Sequence, residues 1–141
     1  MILPDVNVLL YAFRQDSLRH AEYRRWLEEV VNGDEAYGLA PQVLASVIRV
    51  STHPRIYIQP SELEESLEFC RTLMRPETCM VVRPGERHWE IFTSLCGKSL
   101  STGNLIQDAW FAALAIESGC EWITTDRDYA RFPGLRWSAP F

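Results

Sequence analysis

Four aspartates that are far apart in the sequence have the side chains best suited to chemistry. Asp5 follows an apolar run at residues 1–4, Asp108 lies in a helix pattern, and Asp126 and Asp128 follow a short strand pattern. Carboxylates that crowd together raise one another's pKa unless a cation neutralises them. Oxygen ligands without histidine or thiolate select Mg²⁺ or Mn²⁺, and such an ion can activate a water as a nucleophile. If the fold brings these aspartates together, the set favours hydrolysis of a phosphodiester.

Strand and helix patterns alternate along the chain and must position these aspartates. Strand patterns occupy residues 1–4, 37–40, 79–82 and 122–125, and helix patterns occupy residues 5–13, 17–31, 42–52, 61–75, 86–96 and 104–118. The last helix pattern has Asn104 as its predicted N-cap and Gly119 as its stop. Its residues 109–116 are apolar on every side, which indicates a buried helix. The alternation predicts a mostly parallel sheet in a three-layer α/β/α fold, with residues 1–141 as a single domain.

The position of Asp108 is the weak geometric step in this prediction. In a parallel sheet, Asp5 and Asp126 follow strands whose carboxyl ends share one edge. A helix that runs strictly antiparallel to the following strand is expected to place Asp108 away from that edge, so a tilted helix is required. Plainer roles also stay open, since Asp5 can be a helix cap and Asp128 can belong to a solvated turn.

Local patterns give further expectations. Residues 61–64, Ser-Glu-Leu-Glu, form the pattern of a capping box, and Leu63 and Met74 belong to the buried stripe of the helix that follows. Trp89 is expected in the core rather than as a platform for stacking bases. The three histidines have no partner at metal-ligand spacing, and we expect surface or half-buried positions for them. They are His20, His53 and His88.

Composition and charge exclude several classes of protein. The chain has 141 residues and a net charge of -5, which provides for one domain with a core but argues against a general polyanion binder. No apolar stretch is long enough to span a membrane. The four cysteines lack zinc-like spacing and are expected to be reduced, which together with the absence of a secretion signal predicts a cytoplasmic protein. The excess of arginine over lysine suits phosphate contacts or reflects a bias in composition.

Three segments together carry a family resemblance. They are Asp5-Val6-Asn7-Val8-Leu9, then Gly103-Asn104-Leu105-Ile106-Gln107-Asp108-Ala109 with its Ala-rich helix, and Thr124-Thr125-Asp126-Arg127-Asp128-Tyr129. In order, separation and total length they resemble the PIN domain, and more narrowly the VapC-type toxin nucleases of VapBC toxin–antitoxin pairs.

The resemblance implies a metal-dependent endoribonuclease that uses Mg²⁺ or Mn²⁺. It gives Asp5 and Asp108 the roles of main metal ligands, and Asp126 the role of the late acid that binds the metal or its water. Asp128 matches a further acid with a supporting role. The resemblance also implies that the helix start carrying Asp108 faces the site.

One departure from the family pattern concerns the third helix. Asn7 and Thr124 match supporting polar positions, but Ser46 stands where the family usually has a glutamate, and Gln42 is a less suitable substitute. One ligand fewer lowers the affinity for metal. The alternative reading is therefore a weak or inactive PIN-like module that acts by binding or regulation.

The resemblance also implies partners: an RNA substrate, a second copy in a homodimer, and a cognate antitoxin whose C-terminal segment covers the site. A groove near Tyr11, Tyr23 and Trp26 is the candidate surface for the antitoxin. A phosphotransfer domain is a third reading. A haloacid-dehalogenase-like phosphatase is disfavoured because it requires an aspartate at the position of Asn7. Both this phosphatase and a receiver domain require a lysine late in the chain, but the only lysine, Lys98, is not preceded by a strand.

Overall fold

The computed structural model describes residues 1–141 as five short strands, six α-helices and one 3₁₀ helix. In chain order they are β1 (Ile2–Pro4), α1 (Val6–Phe13), α2 (His20–Asn32), β2 (Tyr37–Leu39), α3 (Pro41–Ser51), α4 (Leu63–Met74), β3 (Cys79–Val81), α5 (His88–Ser99), α6 (Asn104–Ser118), β4 (Glu121–Ile123), the 3₁₀ helix (Arg127–Arg131) and β5 (Trp137–Ser138).

All strand pairs are parallel. β1 pairs with β4, β4 pairs with β5, and β2 pairs with β3. The two hydrogen-bonded ladders adjoin where β1 contacts β2. The approach is close, because a Cβ on Gly38 would lie 3.2 Å from a methyl carbon of Leu3 and 3.3 Å from the carbonyl oxygen of Ile2. The strand order is thus β3-β2-β1-β4-β5, which confirms the predicted parallel sheet.

Helices flank the sheet in two groups. α1 packs on α2 and α3, α3 packs on α4, and α5 packs on α6. The predicted burial of α6 is confirmed, because residues 109 and 111–115 are buried. Phe111 stacks on the fully buried Trp122 of β4 with ring centroids 5.5 Å apart. This arrangement confirms the three-layer α/β/α architecture.

The side-chain caps predicted at Asn104 and Ser61 fail. Asn104 is the first residue of α6, and Gly103, with φ at +58°, takes the cap position without a side-chain hydrogen bond. Ser61 does not cap α4. Its hydroxyl accepts a hydrogen bond from Nη1 of the buried Arg14 at 3.0 Å, and α4 begins at Leu63. Tertiary contacts hold the loop before α4, whereas the positive φ of Gly103 sets the backbone before α6.

The predicted buried faces of α4 and α5 are rotated. Leu63 and Met74 are 58% and 42% exposed, and Trp89 is 65% exposed. In α4, the buried Ser66 hydroxyl lies 2.8 Å from the Ser51 hydroxyl and takes a core position. In α5, His88 occupies the core position that was expected for Trp89.

That histidine, His88, was expected at the surface or half-buried, but it is only 2% exposed. Its Nε2 lies 3.0 Å from the carbonyl oxygen of Trp110, and its ring contacts the Trp110 ring edge-on at 4.2 Å. A polar side chain that finds a hydrogen-bond partner can occupy a core position, and a pattern of apolar residues does not detect this.

No helix is both long enough and apolar enough to cross a membrane. None of the four cysteines forms a disulfide.

Candidate active site

Three of the predicted aspartates line one cavity of about 270 Å³: Asp5, Asp108 and Asp126. Asp5 follows β1 and Asp126 follows β4, and the pairing of these strands brings the two together at their carboxyl ends. The pairing continues one residue further, since the amide of Asp5 donates to the carbonyl of Ile123 at 2.9 Å.

The expected conflict over Asp108 does not arise. A crossover helix runs antiparallel to the strand that follows it, so its first turns lie at the carboxyl edge of the sheet. Asp108 is the fifth residue of α6, which runs from Asn104 to Ser118, and at 1.5 Å per residue it lies about 6 Å from the helix start. The expectation that the helix must tilt was wrong, because it reversed this direction.

Asp5 is the most buried of the aspartates, with 6% exposure. Its Oδ1 accepts a hydrogen bond from the amide of Val6 at 2.6 Å, and its Oδ2 accepts one from the hydroxyl of Thr124 at 2.6 Å. Burial raises the pKa of Asp5 to about 6 against these two hydrogen bonds, and the charges of Asp108 and Asp126 add to the rise. Asp5 is also the N-cap of α1, so the cap role and a role in the site coincide.

Thr124 connects the first and third motif segments through one hydroxyl. Besides donating to Asp5, this fully buried hydroxyl accepts from Nδ2 of Asn7 at 3.2 Å and from the amide of Asp126 at 3.0 Å. One donor and two acceptor positions are all that a hydroxyl offers. Thr124 therefore fixes the orientation of the Asp5 carboxylate.

Tyr129 faces the same carboxylates from the 3₁₀ helix. It is 2% exposed, and its hydroxyl donates to Oδ1 of Asp108 at 3.4 Å. Burial is the main cause that raises the pKa of Asp108, the charge of Asp126 adds to it, and the Tyr129 hydrogen bond opposes it. Sequence reasoning gave Tyr129 no role. Its position in the third motif segment was the available signal.

Asp128 lies apart from the other three aspartates. It is exposed and is not among the residues that line the cavity. Its amide donates to Oδ1 of Asp126 at 2.8 Å, and its own Oδ1 lies 3.5 Å from Nη2 of Arg131. Its contact with the site is therefore through the backbone that supports Asp126.

Helix α3 lines the cavity at Ser46, the position at which the sequence departs from the family pattern. Ser46 lines the cavity, where the resemblance led us to expect a glutamate. Gln42 does not line it, and its Oε1 instead accepts a hydrogen bond from Nε1 of Trp110 at 2.5 Å. Gln42 is thus no substitute for the glutamate.

The donor set fits a hard divalent cation. Oδ1 of Asn7 is buried without a hydrogen-bond partner, an arrangement that costs free energy unless a water or an ion reaches the oxygen. Asn7 lines the cavity with the three aspartates, and all of these donors are oxygens. No group of three aspartate, glutamate, histidine or cysteine side chains is close enough together to coordinate a metal ion by itself. Water would complete the coordination shell, and Mg²⁺ usually keeps several waters.

Sequence comparisons identify relatives over the full length of the chain. The family model of the PIN domain matches residues 2–135. Ribonuclease VapC43 of Mycobacterium tuberculosis is 43% identical over 140 residues, which cover 99% of this chain and 95% of VapC43. Ribonuclease VapC25 of the same organism is 34% identical over 140 residues, covering 99% of each.

Solved structures agree on the fold. VapBC-1 from nontypeable Haemophilus influenzae matches with a TM-score of 0.70 at 18% identity, covering 99% of this chain and 98% of that chain. VapBC2 from Rickettsia felis, bound to a DNA fragment from its promoter, matches with a TM-score of 0.68 at 20% identity and the same coverage. The chain belongs to the PIN domain family, as the resemblance predicted, and among its full-length relatives are VapC ribonucleases.

Proposed function

We propose that this protein is a metal-dependent endoribonuclease and the toxin of a toxin–antitoxin pair. The observation that carries the proposal is the convergence of Asp5, Asp108 and Asp126, from distant parts of the chain, on one cavity. The full-length relatives at 43% and 34% identity are ribonucleases of the VapC type, which supports RNA as the substrate class.

In this proposal Asp5, Asp108 and Asp126 hold Mg²⁺ or Mn²⁺. An ion held there would supply a water of lowered pKa and would stabilise charge on the phosphodiester. Thr124 holds the Asp5 carboxylate in place, and the amide of Asp128 does the same for Asp126. Each Asp5 oxygen accepts one hydrogen bond and keeps a lone pair available for a cation.

The test is cleavage of total bacterial RNA by the purified chain. We expect cleavage with Mg²⁺ or Mn²⁺, none with EDTA, and recovery when the metal is restored. Cleavage that persists in EDTA would exclude the metal-dependent mechanism, and intact RNA under every metal condition would exclude the nuclease.

Ser46 favours a second candidate function. Because the cavity wall formed by α3 carries a hydroxyl and no carboxylate, the alternative is a weak or inactive PIN-like module that binds partners. Calorimetric titration with Mn²⁺ separates the two. Heat of binding that disappears in Asp108→Asn supports the nuclease, whereas no heat in the parent chain supports the binding module.

The proposed partners are RNA, a cognate antitoxin and a second copy of the chain, in the cytoplasm. The similar solved structures are VapBC assemblies, which supports the antitoxin. The surface near Tyr11, Tyr23 and Trp26 stays the candidate for the antitoxin. Tyr23 packs on Tyr11 and on Phe141, at ring-centroid distances of 5.0 and 4.9 Å, and Trp26 lines a cavity beside Met1.

A further inference from the structure

One basic side chain lines the cavity that holds the three aspartates. This residue is Arg49, an exposed residue in the last turn of α3. It lies three residues after Ser46, so both project from the same face of the helix. Because Ser46 is uncharged, this face presents a net positive charge to the site, where the family pattern led us to expect a negative one.

The Arg49 guanidinium takes part in none of the ion pairs of the structure. Arginines on other helices pair with neighbouring glutamates, as Arg24 does with Glu28 at 2.8 Å and Arg71 with Glu64 at 2.7 Å. Arg49 differs from these arginines, because it lines a cavity with three aspartates and forms no ion pair with any of them.

Asp5 and Asp108 accept hydrogen bonds from residues other than Arg49. Asp5 is held by Val6 and Thr124, and Asp108 accepts from Tyr129. These donors keep the carboxylates in the cavity, and Arg49 is left available at its wall.

We propose that Arg49 binds a backbone phosphate of the RNA beside the bond that is cut. The inference rests on the proposed nuclease function and adds a substrate-binding residue to it. A chain with a net charge of -5 and three carboxylates in its site repels a polyanion. A free guanidinium offsets this repulsion locally, and its planar fork matches two phosphate oxygens.

The test compares Arg49→Gln with Arg25→Gln. Arg25 is a matched control because it is also helical, exposed and outside every ion pair, but it does not line the cavity. Binding of a short fluorescent single-stranded RNA is measured by anisotropy in EDTA over a series of salt concentrations. Cleavage of total bacterial RNA is measured with Mg²⁺, and thermal unfolding is measured for each variant.

We expect Arg49→Gln to raise the Kd about tenfold and to reduce the slope of log Kd against log salt by about 0.7, the value for one phosphate contact on a single strand. Arg49→Lys should keep the slope while losing part of the affinity, because a lysine is a point charge. Unfolding should not change. Arg25→Gln should match the parent chain in every measurement.

Two kinds of failure are distinguishable. If the parent cleaves RNA and Arg49→Gln binds and cleaves equally well, the role of Arg49 is overturned and the nuclease stands. If the parent does not cleave, the nuclease proposal fails. The slope of log Kd against log salt then tests only whether Arg49 contacts a phosphate. A reduced slope supports the phosphate contact, and an unchanged slope, or no binding by the parent, overturns it.

Discussion

At the scale of single residues, the site depends on Thr124 as much as on the aspartates. Its hydroxyl donates to Asp5 and accepts from Asn7 and Asp126. The sequence predicted Thr124 only as a supporting residue. A hydrogen bond between the Thr124 hydroxyl and Asp126 could be expected from their spacing. The bonds to Asp5 and Asn7 were beyond prediction, because these partners lie 119 and 117 positions away in the chain.

Thr124→Val keeps the shape of the side chain and removes all three hydrogen bonds. We expect RNA cleavage to fall about 10- to 100-fold, as for other residues that orient metal ligands, and the midpoint of Mg²⁺ activation to rise. Thr124→Ser should recover much of the rate because it restores the hydroxyl. Cleavage rates across a Mg²⁺ titration measure both effects, and equal titration curves for Thr124→Val and the parent would refute the role.

Asp5 should make the stability of the metal-free protein depend on pH. Its pKa is about 6 in the folded state, above the ordinary value of 3.8, so the folded state binds this proton more tightly than the unfolded state. The contribution of Asp5 to stability is therefore greatest below about pH 4 and falls as the pH rises to about 6, where the buried charge costs roughly 2–3 kcal/mol.

Asp5→Asn should remove most of this pH dependence. Urea unfolding in EDTA at pH 5 and pH 7 measures the free energy of unfolding of both proteins. We expect the parent to lose more stability than Asp5→Asn between these values. An equal loss in both proteins would show that Asp5 does not titrate as described. Added Mg²⁺ should stabilise the parent at pH 7, because the ion neutralises the charge.

At the scale of helices and strands, the existence of each element was easier to predict from the sequence than the direction of its buried face. Hydrophobic periodicity and length are local properties, so α6 and the strands could be recognised. The buried faces of α4 and α5 depend on Ser66 and His88, which find distant hydrogen-bond partners. The cap at Ser61 failed for the same reason, since its side chain and backbone bond to Arg14 and Ser51. The cap at Asn104 failed because Gly103, with a positive φ, takes the cap position.

The buried pair of Ser51 and Ser66 should show this dependence in a double-mutant cycle. Both side chains are fully buried, and their hydroxyls lie 2.8 Å apart. Ser51→Ala should cost about 1–2 kcal/mol, because it leaves the Ser66 hydroxyl without a partner. Ser66→Ala should cost less, because the Ser51 hydroxyl keeps its bond to the carbonyl oxygen of Ile48 at 3.3 Å. The double variant should cost less than the sum of the two, and urea denaturation measures all four proteins. Strictly additive costs would contradict the interaction.

At the scale of the whole molecule, the two ends of the chain meet in the sheet. β1 pairs with β4, and the buried core includes residues from Leu3 to Phe132. On this basis we propose that residues 1–141 act as one domain. The chain topology made the meeting of Asp5 and Asp126 predictable, whereas the exposed position of Asp128 and the free charge of Arg49 depend on side-chain directions that only the structure gives.

The role of the three carboxylates is measured by RNA cleavage with Asp108→Asn, and Asp34→Asn is an exposed control outside the cavity. The assay uses total bacterial RNA and saturating Mg²⁺, and circular dichroism checks the folding of each variant. We expect Asp108→Asn to lose cleavage by about a hundredfold or more, while Asp34→Asn cleaves like the parent. If a folded Asp108→Asn protein cleaves RNA at the parent's rate, these carboxylates do not form the active site.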